Sequence, residues 1–515
     1  MTPLKRIAVI GGGMAGLASV YELAKMARQG APVGATLFEA SGRLGGTVET
    51  VRHDGFVLEC GPDGWVTEKP WARELAIELG LEDEMIPSND AQRRTYLLQA
   101  GRLEPMPDGL RMMVPSNWAP LLASPLLSAQ AKLAYLREPK RAVELKTWAA
   151  NHPEDESVSA LVRRHFGDEV TEKLAAPLLS GVFGGDVARL SAHAVMAPFV
   201  KMEREHGSLV LPIQQRARAG SGRTSVFTSL RNGVGSLVDA MTGVLTGAAT
   251  DELGISLRLC RPVSSIERNG DRWSVRSAGG TDTGGVDLFD AVIIAAPAHV
   301  ASELLRPLDA RSAELLTMEA SSAIIVAFGF APDHARRLRW PRGFGFLVPA
   351  QAAPTTSGKT GDGGAPPLPH WPQQGSPTAN SLLAATFLDQ KFEGRAPAGG
   401  KLLRAFFGGA EAARLTGESD AALAAIARGE LERVLGPLPE ASVTLVRRWP
   451  RSLPQYEVGH LVRVAELERR IDSLPGLRLV GNAYHGVGLP DLVREGRCAT
   501  QEIARKLAPA QPATA

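Results

Sequence analysis

Residues 4–39 read LKRIAVIGGGMAGLASVYELAKMARQGAPVGATLFE, and their order decides the fold. Residues 4–10 are short, apolar and rich in β-branched side chains, the composition of a strand buried on both faces. Gly11, Gly12, Gly13, Met14, Ala15 and Gly16 follow at once, and an amphipathic helix then runs to about Gln29. After the loop QGAPVG a second strand ends at Glu39. This is a βαβ unit with G-x-G-x-x-G between strand and helix, the context in which that string is informative. Gly11 permits the tight turn, Gly13 lets backbone approach a pyrophosphate, and Gly16 lets helix and strand pack closely. The helix start, opened by Met14 and Ala15, offers unpaired N–H groups to phosphate. An acid at Glu39 accepts from both adenosine ribose hydroxyls and repels a 2′-phosphate, which disfavours NADP. The competing reading is a Gly-rich turn in an α/β sheet with no ligand.

Composition narrows the class. The chain has 515 residues, with 57 Lys plus Arg against 55 Asp plus Glu, a net charge of +2. That length is roughly two to four folding units. Balanced charge excludes a basic nucleic-acid groove as the leading idea. A hydrophobic content of 44% excludes wholesale disorder. Cys60, Cys260 and Cys498 are odd in number and scattered, so no disulfide framework is expected, and no Cys/His spacing suggests a metal. The first residues do not read as a signal peptide, so none is expected, and no apolar run reaches the ~18 residues of a spanning helix. The expected location is cytoplasmic, with peripheral contact on the inner face of a membrane left open.

Further along, residues 105–215 read as helical, and 221–247 return to the first unit, with Gly233-Val234-Gly235 opening a helix. Strands are expected near 255–268 and 272–277, and DLFDAVIIAAPAHV (287–300) reads as one buried strand turning at Pro297. Apolar runs in 320–349 and 381–408 suggest a second sheet. Residues 350–380 are Pro, Gly, Ser, Thr and Gln rich, a low-complexity insertion. The last stretch is strand, Gly turn and helix, and Gly481-Asn482-Ala483-Tyr484-His485-Gly486-Val487-Gly488-Leu489-Pro490-Asp491 carries the turn. A helix start near Pro490 puts a partial positive charge beside this turn.

The sequence after Glu39 separates the dinucleotides. Ala40-Ser41-Gly42-Arg43-Leu44-Gly45-Gly46-Thr47 resembles the signature of the FAD-dependent amine oxidase superfamily. Glu59-Cys60-Gly61-Pro62-Asp63-Gly64, Val263 in CRPVSSIE, and Asp290-Ala291-Val292-Ile293-Ile294-Ala295-Ala296-Pro297 agree with it. Within that superfamily, GNAYHGVGLPD is similar to the flavin end of the protoporphyrinogen oxidase family, which includes coproporphyrinogen oxidases. Arg448-Trp449-Pro450 with Leu453-Pro454-Gln455-Tyr456 and Gly459-His460, Glu205-His206-Gly207-Ser208-Leu209, Phe227-Thr228-Ser229-Leu230-Arg231-Asn232-Gly233, and Gly343-Phe344-Gly345-Phe346-Leu347-Val348-Pro349 are similar to it too. The resemblance covers about residues 5–508, without the insertion.

The resemblance implies an α/β fold: a Rossmann-like FAD-binding domain of the GR2 type, a mixed-sheet substrate domain and a helical domain. The corresponding division is 1–85, 221–300 and 446–515 for the cofactor, 86–220 for a substrate and helical domain that would carry any membrane contact, and 301–445 for substrate with the insertion. FAD would be held by Gly11, Gly12, Gly13, Met14, Ala15, Gly16, Glu39, Arg43, Gly46, Thr47, Gly61, Pro62, Asp63, Gly64, Val263, Trp449, Gly481, Val487, Gly488 and Leu489. In this reading Arg43 meets a phosphate, Val263 clamps the adenine, and 61–64 line the flavin. The implied reaction moves hydride from a porphyrinogen, protoporphyrinogen IX or coproporphyrinogen III, to FAD, with O₂ as acceptor, three times over, in haem synthesis. Such chemistry asks for little acid–base machinery, and no single catalytic residue is singled out. Arg94, with Arg93 as rival, would pair a propionate, and Phe344, Phe346 and Leu347 would sandwich the rings. Residues 108–136, with Met112, Met113, Trp118, Leu121, Leu122, Leu126 and Leu127, would touch a bilayer or simply cap the pocket. A homodimer is left open. Two other readings remain: an amine oxidase or desaturase-like enzyme on the same fold, and a non-catalytic escort protein. Classical amine oxidases need an aromatic cage, and of the five tyrosines (Tyr21, Tyr96, Tyr135, Tyr456, Tyr484) Tyr484 is the candidate wall.

Overall fold

A computed structural model of the chain describes residues 3–219, 225–247, 252–278, 285–349 and 382–507. The low-complexity insertion and the C-terminal tail expected from the sequence lie outside the described residues. The first strand, Lys5–Ile10, is central in a five-stranded parallel sheet ordered Ile255–Arg258, Val33–Phe38, Lys5–Ile10, Ala291–Ile294, Leu477–Leu479. Strand periodicity sends Ile7 and Val9 to one face and Ala8 and Ile10 to the other. Both faces are covered, as a parallel sheet requires. Helices Met14–Arg28, Gly235–Leu245 and Leu489–Leu507 close the first face. A three-stranded antiparallel sheet, Val263–Asn269, Arg272–Ser277 and Val286–Phe289, closes the second with helix Ala298–Leu305. The chain's first and last helices meet backbone to backbone: a Cβ on Gly496 would stand 2.4 Å from the Ala15 carbonyl oxygen.

One expected strand divides in two. Within 287–300, Val286–Phe289 belongs to the antiparallel sheet and Ala291–Ile294 to the parallel one. The break is Asp290, whose carboxylate accepts the Arg6 N–H at 2.9 Å and pairs Lys5 Nζ at 3.2 Å. Hydropathy sees one apolar run; the carboxylate marks where the chain changes sheet.

The second sheet has seven strands, ordered Val443–Pro454, Ala320–Phe330, Lys401–Gly408, Ala384–Phe387, Gly345–Leu347, Thr95–Gln99, Arg102–Pro105. Its pairings are antiparallel except that between Gly345–Leu347 and Thr95–Gln99. Strand Val443–Pro454 runs through the expected boundary at 445, and two strands come from 86–220, the stretch read as a substrate and helical domain. Helices Gly409–Leu415 and Asp420–Leu435 cover one face; the helical layer, from Trp118–Ala123 to Val210–Arg218, packs beyond the other.

That helical layer buries most of the apolar stretch offered above as membrane-contacting. Met113, Leu121, Leu126 and Leu127 are core residues, while Leu122, Leu133, Leu136 and Val143 are exposed. Among the described residues no helix is long and apolar enough to cross a membrane. The layer also buries charge. His165 stands between Glu138 Oε1 at 2.9 Å and Glu203 Oε1 at 3.0 Å, and Arg164 Nε donates to Glu203 at 2.9 Å. Glu138 accepts further bonds from Ser208 Oγ and the Leu209 N–H, each at 2.6 Å, which assigns a structural role to part of the Glu205-His206-Gly207-Ser208-Leu209 motif. Burial would lower the His165 pKa; the bonds to the two carboxylates outweigh it and raise it.

Candidate functional site

The glycine turn divides its work. Gly11 has φ +108°, and a Cβ there would lie 2.6 Å from the Ala295 carbonyl oxygen. A Cβ on Gly16 would lie 1.9 Å from the Gly11 oxygen. These two glycines are demanded by the protein's own packing. A Cβ on Gly13 would meet nothing within 4 Å. No side chain caps helix Met14–Arg28, and no acid lies in its first turn. An open glycine before uncapped N–H groups is a cradle whose donors suit a pyrophosphate, so the residues fit the dinucleotide they were expected to hold.

Glu39 stands beside this turn. Its Oε2 accepts the Gly12 N–H at 2.7 Å, and its Oε1 accepts both the N–H and Oγ–H of Ser41 at 2.7 Å. The carboxylate is thus oriented by protein donors and keeps lone pairs for ribose. The Arg261 N–H bonds the Glu39 carbonyl at 2.8 Å and the Cys260 N–H bonds that of Ser41 at 2.9 Å. These contacts bring the segment that carries half-buried Val263, which taken alone reads better as core, beside Glu39 and Ser41.

The second glycine loop lies on the first. The Gly45 N–H donates to the Gly12 carbonyl at 2.8 Å, and a Cβ on Gly46 would sit 3.1 Å from the Gly13 Cα. Arg43 also bonds within its own loop. Its guanidinium donates to the carbonyls of Leu44 at 2.9 Å, Val48 at 3.1 Å and Gly46, and faces the Trp449 ring at 5.8 Å. Gly45 and Gly46, at φ +99° and +59°, fold the loop so that its carbonyls converge there. In this structure Arg43 clamps the loop.

Residues 59–64 form the next wall. A Cβ on Gly61 would lie 1.9 Å from the Thr47 oxygen, and one on Gly64 2.5 Å from the Thr228 oxygen, with Pro62 between them. The Asp63 side chain turns toward the second sheet: Lys391 Nζ lies at 2.7 Å and Arg404 Nη2 at 2.6 Å. Burial would raise its pKa, but Lys391 and then Arg404 outweigh it and hold the carboxyl down at about 2. Arg404 Nη1 also donates to the carbonyls of Glu59 at 3.0 Å and Gly61 at 2.9 Å. Glu59 is itself buried, bonded by Thr50 Oγ1 at 2.6 Å and the Val234 N–H at 2.9 Å, and stands 3.6 Å from Arg395. Burial raises its pKa against the pull of Arg395. The cationic clasp of Lys391, Arg395 and Arg404 escaped sequence reasoning. It contacts 59–63 from more than 300 residues away, and no local pattern marks it. Cys60 is no nucleophile here, since burial and the nearby Glu49 carboxylate push its thiol up to about 12. Its carbonyl accepts Trp449 Nε1–H at 2.6 Å, which ties Trp449 into this wall.

The C-terminal loop is joined to this wall through strand Val443–Pro454, which bonds Cys60 at Trp449 and Asn482 at Ser452. Gly481 and Gly486 have φ +138° and +143°. Tyr456 Oη donates to the Asn482 carbonyl at 2.7 Å and accepts the Gly486 N–H at 3.0 Å, and Asn482 Nδ2 donates to the Ser452 carbonyl at 2.8 Å. His460, fully buried, bonds the Tyr484 carbonyl at 2.8 Å, and burial lowers its pKa to about 4. Val487 and Gly488 lead into helix Leu489–Leu507, in which Pro490 is second. Asp491 pairs with Lys69. Of this set, Tyr456 and His460 lie in a quoted motif, and Lys69 lies in none.

The structure separates the residues expected to meet substrate. Phe346 is 1% exposed, its ring 6.3 Å from that of Phe387, and Phe344 is 8% exposed. Phe346 belongs to the core under helices 409–435, because alternate strand residues face opposite ways. Leu347 therefore faces the helical layer, 3.2 Å from where a Cβ on Gly181 would be. Arg94 is exposed, 3.6 Å from Asp108, as is Arg93. With Gly345 paired to Thr95, Arg94 lies about 10 Å along the sheet from Leu347, at ~3.3 Å per residue.

A family model for flavin containing amine oxidoreductases matches residues 14–504. The chain belongs to that family and is a flavoprotein oxidoreductase. It is 31% identical to coproporphyrinogen III oxidase of Bacillus subtilis (strain 168), over 97% of each chain. It is 32% identical to coproporphyrinogen III oxidase of Mycobacterium tuberculosis (strain ATCC 25618 / H37Rv), over 98% of each, and 28% identical to the chloroplastic protoporphyrinogen oxidase of Nicotiana tabacum, over 89% of this chain and 78% of that one. Among solved structures, a provisionally named protoporphyrinogen oxidase from Exiguobacterium sp. 255-15 superposes with a TM-score of 0.76 at 28% identity, over 97% of this chain and 99% of that one. Putrescine oxidase, at 16% identity and TM-score 0.62 over 98% and 99%, shares the fold.

Proposed function

We propose that this protein oxidises a porphyrinogen to the corresponding porphyrin in haem synthesis, with coproporphyrinogen III as substrate and O₂ as final acceptor. The observation that carries this reading is the FAD-shaped cradle in a chain that matches coproporphyrinogen III oxidases from end to end. The amine oxidase alternative loses support at Tyr456 and Tyr484. Each is 3% exposed and packed into the protein, so neither offers a ring to an aromatic cage.

Bound FAD supplies the hydride acceptor; the chain supplies orientation and exclusion of water. In this reading Gly13 and the N–H groups of Met14, Ala15 and Gly16 hold the pyrophosphate, and Glu39 the ribose. Residues 61–64 and 486–488 confine the flavin, with the arginine clasp keeping the first of these walls rigid. Leu347 lies against the macrocycle, and Arg94 pairs a propionate. Aromatisation drives the reaction, so little acid–base machinery is needed.

The test is purified protein under air with coproporphyrinogen III, protoporphyrinogen IX or putrescine, following porphyrin fluorescence and peroxide. We expect a flavin spectrum and faster oxidation of coproporphyrinogen III than in the enzyme-free control. Oxidation of putrescine with neither porphyrinogen touched would overturn the proposal. Arg94→Ala should raise KM about tenfold with FAD retained, the loss of one charge-assisted pair.

A further inference from the structure

Helix Leu489–Leu507 begins directly after the flavin-end loop, and its first turn carries an acid. Asp491 is 3% exposed. Its carboxylate lies against that loop: a Cβ on Gly486 would stand 2.6 Å from Asp491 Cγ and 2.7 Å from Oδ2, and one on Gly488 3.1 Å from Oδ2. A carboxylate suits a helix N-terminus, which is its positive end. Here it also cancels that positive end at the place where a reduced flavin gathers negative charge. A buried acid of this kind is adverse to the reaction unless something neutralises it.

Lys69 does so. It follows strand Trp65–Val66, its N–H closes a turn on the Val66 carbonyl at 3.2 Å, and its Nζ reaches Asp491 Oδ1 at 2.8 Å and Oδ2 at 2.6 Å. Its side chain is 45% exposed while the Asp491 side chain is 4% exposed. The cation thus reaches in from the surface to a carboxylate that is cut off from water.

We propose that Lys69 is the charge-setting residue of the flavin site: by neutralising Asp491 it lets the helix N-terminus act on the reduced cofactor. This rests on the flavin reading above. Lys69 touches no reacting atom in this scheme and is a positioning residue; its effect is on how readily the flavin accepts electrons, separate from substrate binding.

The test uses FAD-loaded protein and two readouts independent of turnover, the flavin midpoint potential and the affinity for sulfite, which adds to an electron-poor flavin. Lys69→Met should weaken sulfite binding about tenfold and lower the potential, where tenfold corresponds to about 30 mV for a two-electron couple. Lys69→Arg should stay near wild type. Lys69→Met with Asp491→Asn should return toward wild type, because the uncompensated charge is gone. Asp491→Asn alone should tighten sulfite binding, and it carries the test if Lys69→Met sheds its flavin. Unchanged potential and sulfite affinity in a flavin-loaded Lys69→Met, or in Asp491→Asn where that variant stands in, would overturn the proposal. A double variant no closer to wild type than Lys69→Met would overturn it too. Wild-type protein without flavin absorbance would instead overturn the flavin reading itself.

Discussion

The cofactor sheet and the helical layer are held together with different emphasis. Around the five-stranded sheet, backbone meets backbone: Gly16 lies on Gly11, Gly61 on Thr47 and Gly496 on Ala15, with apolar side chains filling both faces. The helical layer has such a contact as well, Gly207 on Ala142, but its buried centre is ionic, with His165, Glu138, Glu203 and Arg164 bonded to one another. The difference follows from what each region must do. A site that grips a flat, phosphorylated ligand needs backbone within reach and no side chains in the way. A covering layer needs one packing arrangement, and a fully bonded buried ion network disfavours alternatives to it, although the net gain in stability is small.

That contrast can be broken at chosen points. The largest effect is expected at Gly16→Val, whose Cβ would overlap the Gly11 carbonyl oxygen; the overpacking should exceed about 3 kcal/mol and yield little soluble, flavin-loaded protein in an expression and absorbance assay. Arg404→Met comes next. It leaves Asp63 with Lys391 and frees the carbonyls of Glu59 and Gly61, so a loss of about 3 kcal/mol in urea unfolding is expected, with FAD released at lower denaturant than in wild type. Wild-type behaviour would mean that the clasp is ornamental.

The helical layer is sharpened by pH. His165 faces a carboxylate oxygen through each ring nitrogen, and carboxylates accept, so the bonded form is the imidazolium. Its folded pKa is raised, so its contribution is fully present below the unfolded value of about 6.5 and is lost as pH rises through the folded value. Hydrogen exchange in Val158–Phe166 and Ala197–His206, compared with the cofactor sheet, should accelerate selectively on that rise, beyond the intrinsic rate. His165→Asn should remove the dependence, with a loss of about 2–3 kcal/mol at pH 6. Equal change in both regions would contradict the assignment. The smallest effect on folding is expected at Gly13→Ala, within about 0.5 kcal/mol because its Cβ meets no protein atom; FAD affinity should nonetheless fall, and calorimetric titration of the apoprotein measures it.

Much of the cofactor half was legible because its logic is local. The turn 11–16, the acid at Glu39 and the loop 481–489 each announce themselves within a dozen residues, since strand, glycine and helix signals sit side by side. The expected strand at 287–300 failed for a related reason: hydropathy averages over Asp290, while a single carboxylate decides which sheet the chain joins. The substrate side was less legible. Phe344, Phe346 and Leu347 are alike in hydropathy, and strand direction alone sends Phe346 to the core and Leu347 to the helical layer. Arg43 was expected at a phosphate, and the structure shows three of its donors on loop carbonyls, a role that no local pattern marks.

By itself the sequence determined the class of cofactor, because close approach to a dinucleotide needs particular residues at particular spacings along one stretch of chain. Tertiary structure decided the charges around it. Lys391 and Arg404 meet Asp63, Lys69 meets Asp491, and His165 meets Glu138 and Glu203 across separations that no local pattern spans. Which carboxylates are buried, and which cations answer them, is settled when distant segments pack, because the burial that makes the pairing necessary does not exist before folding.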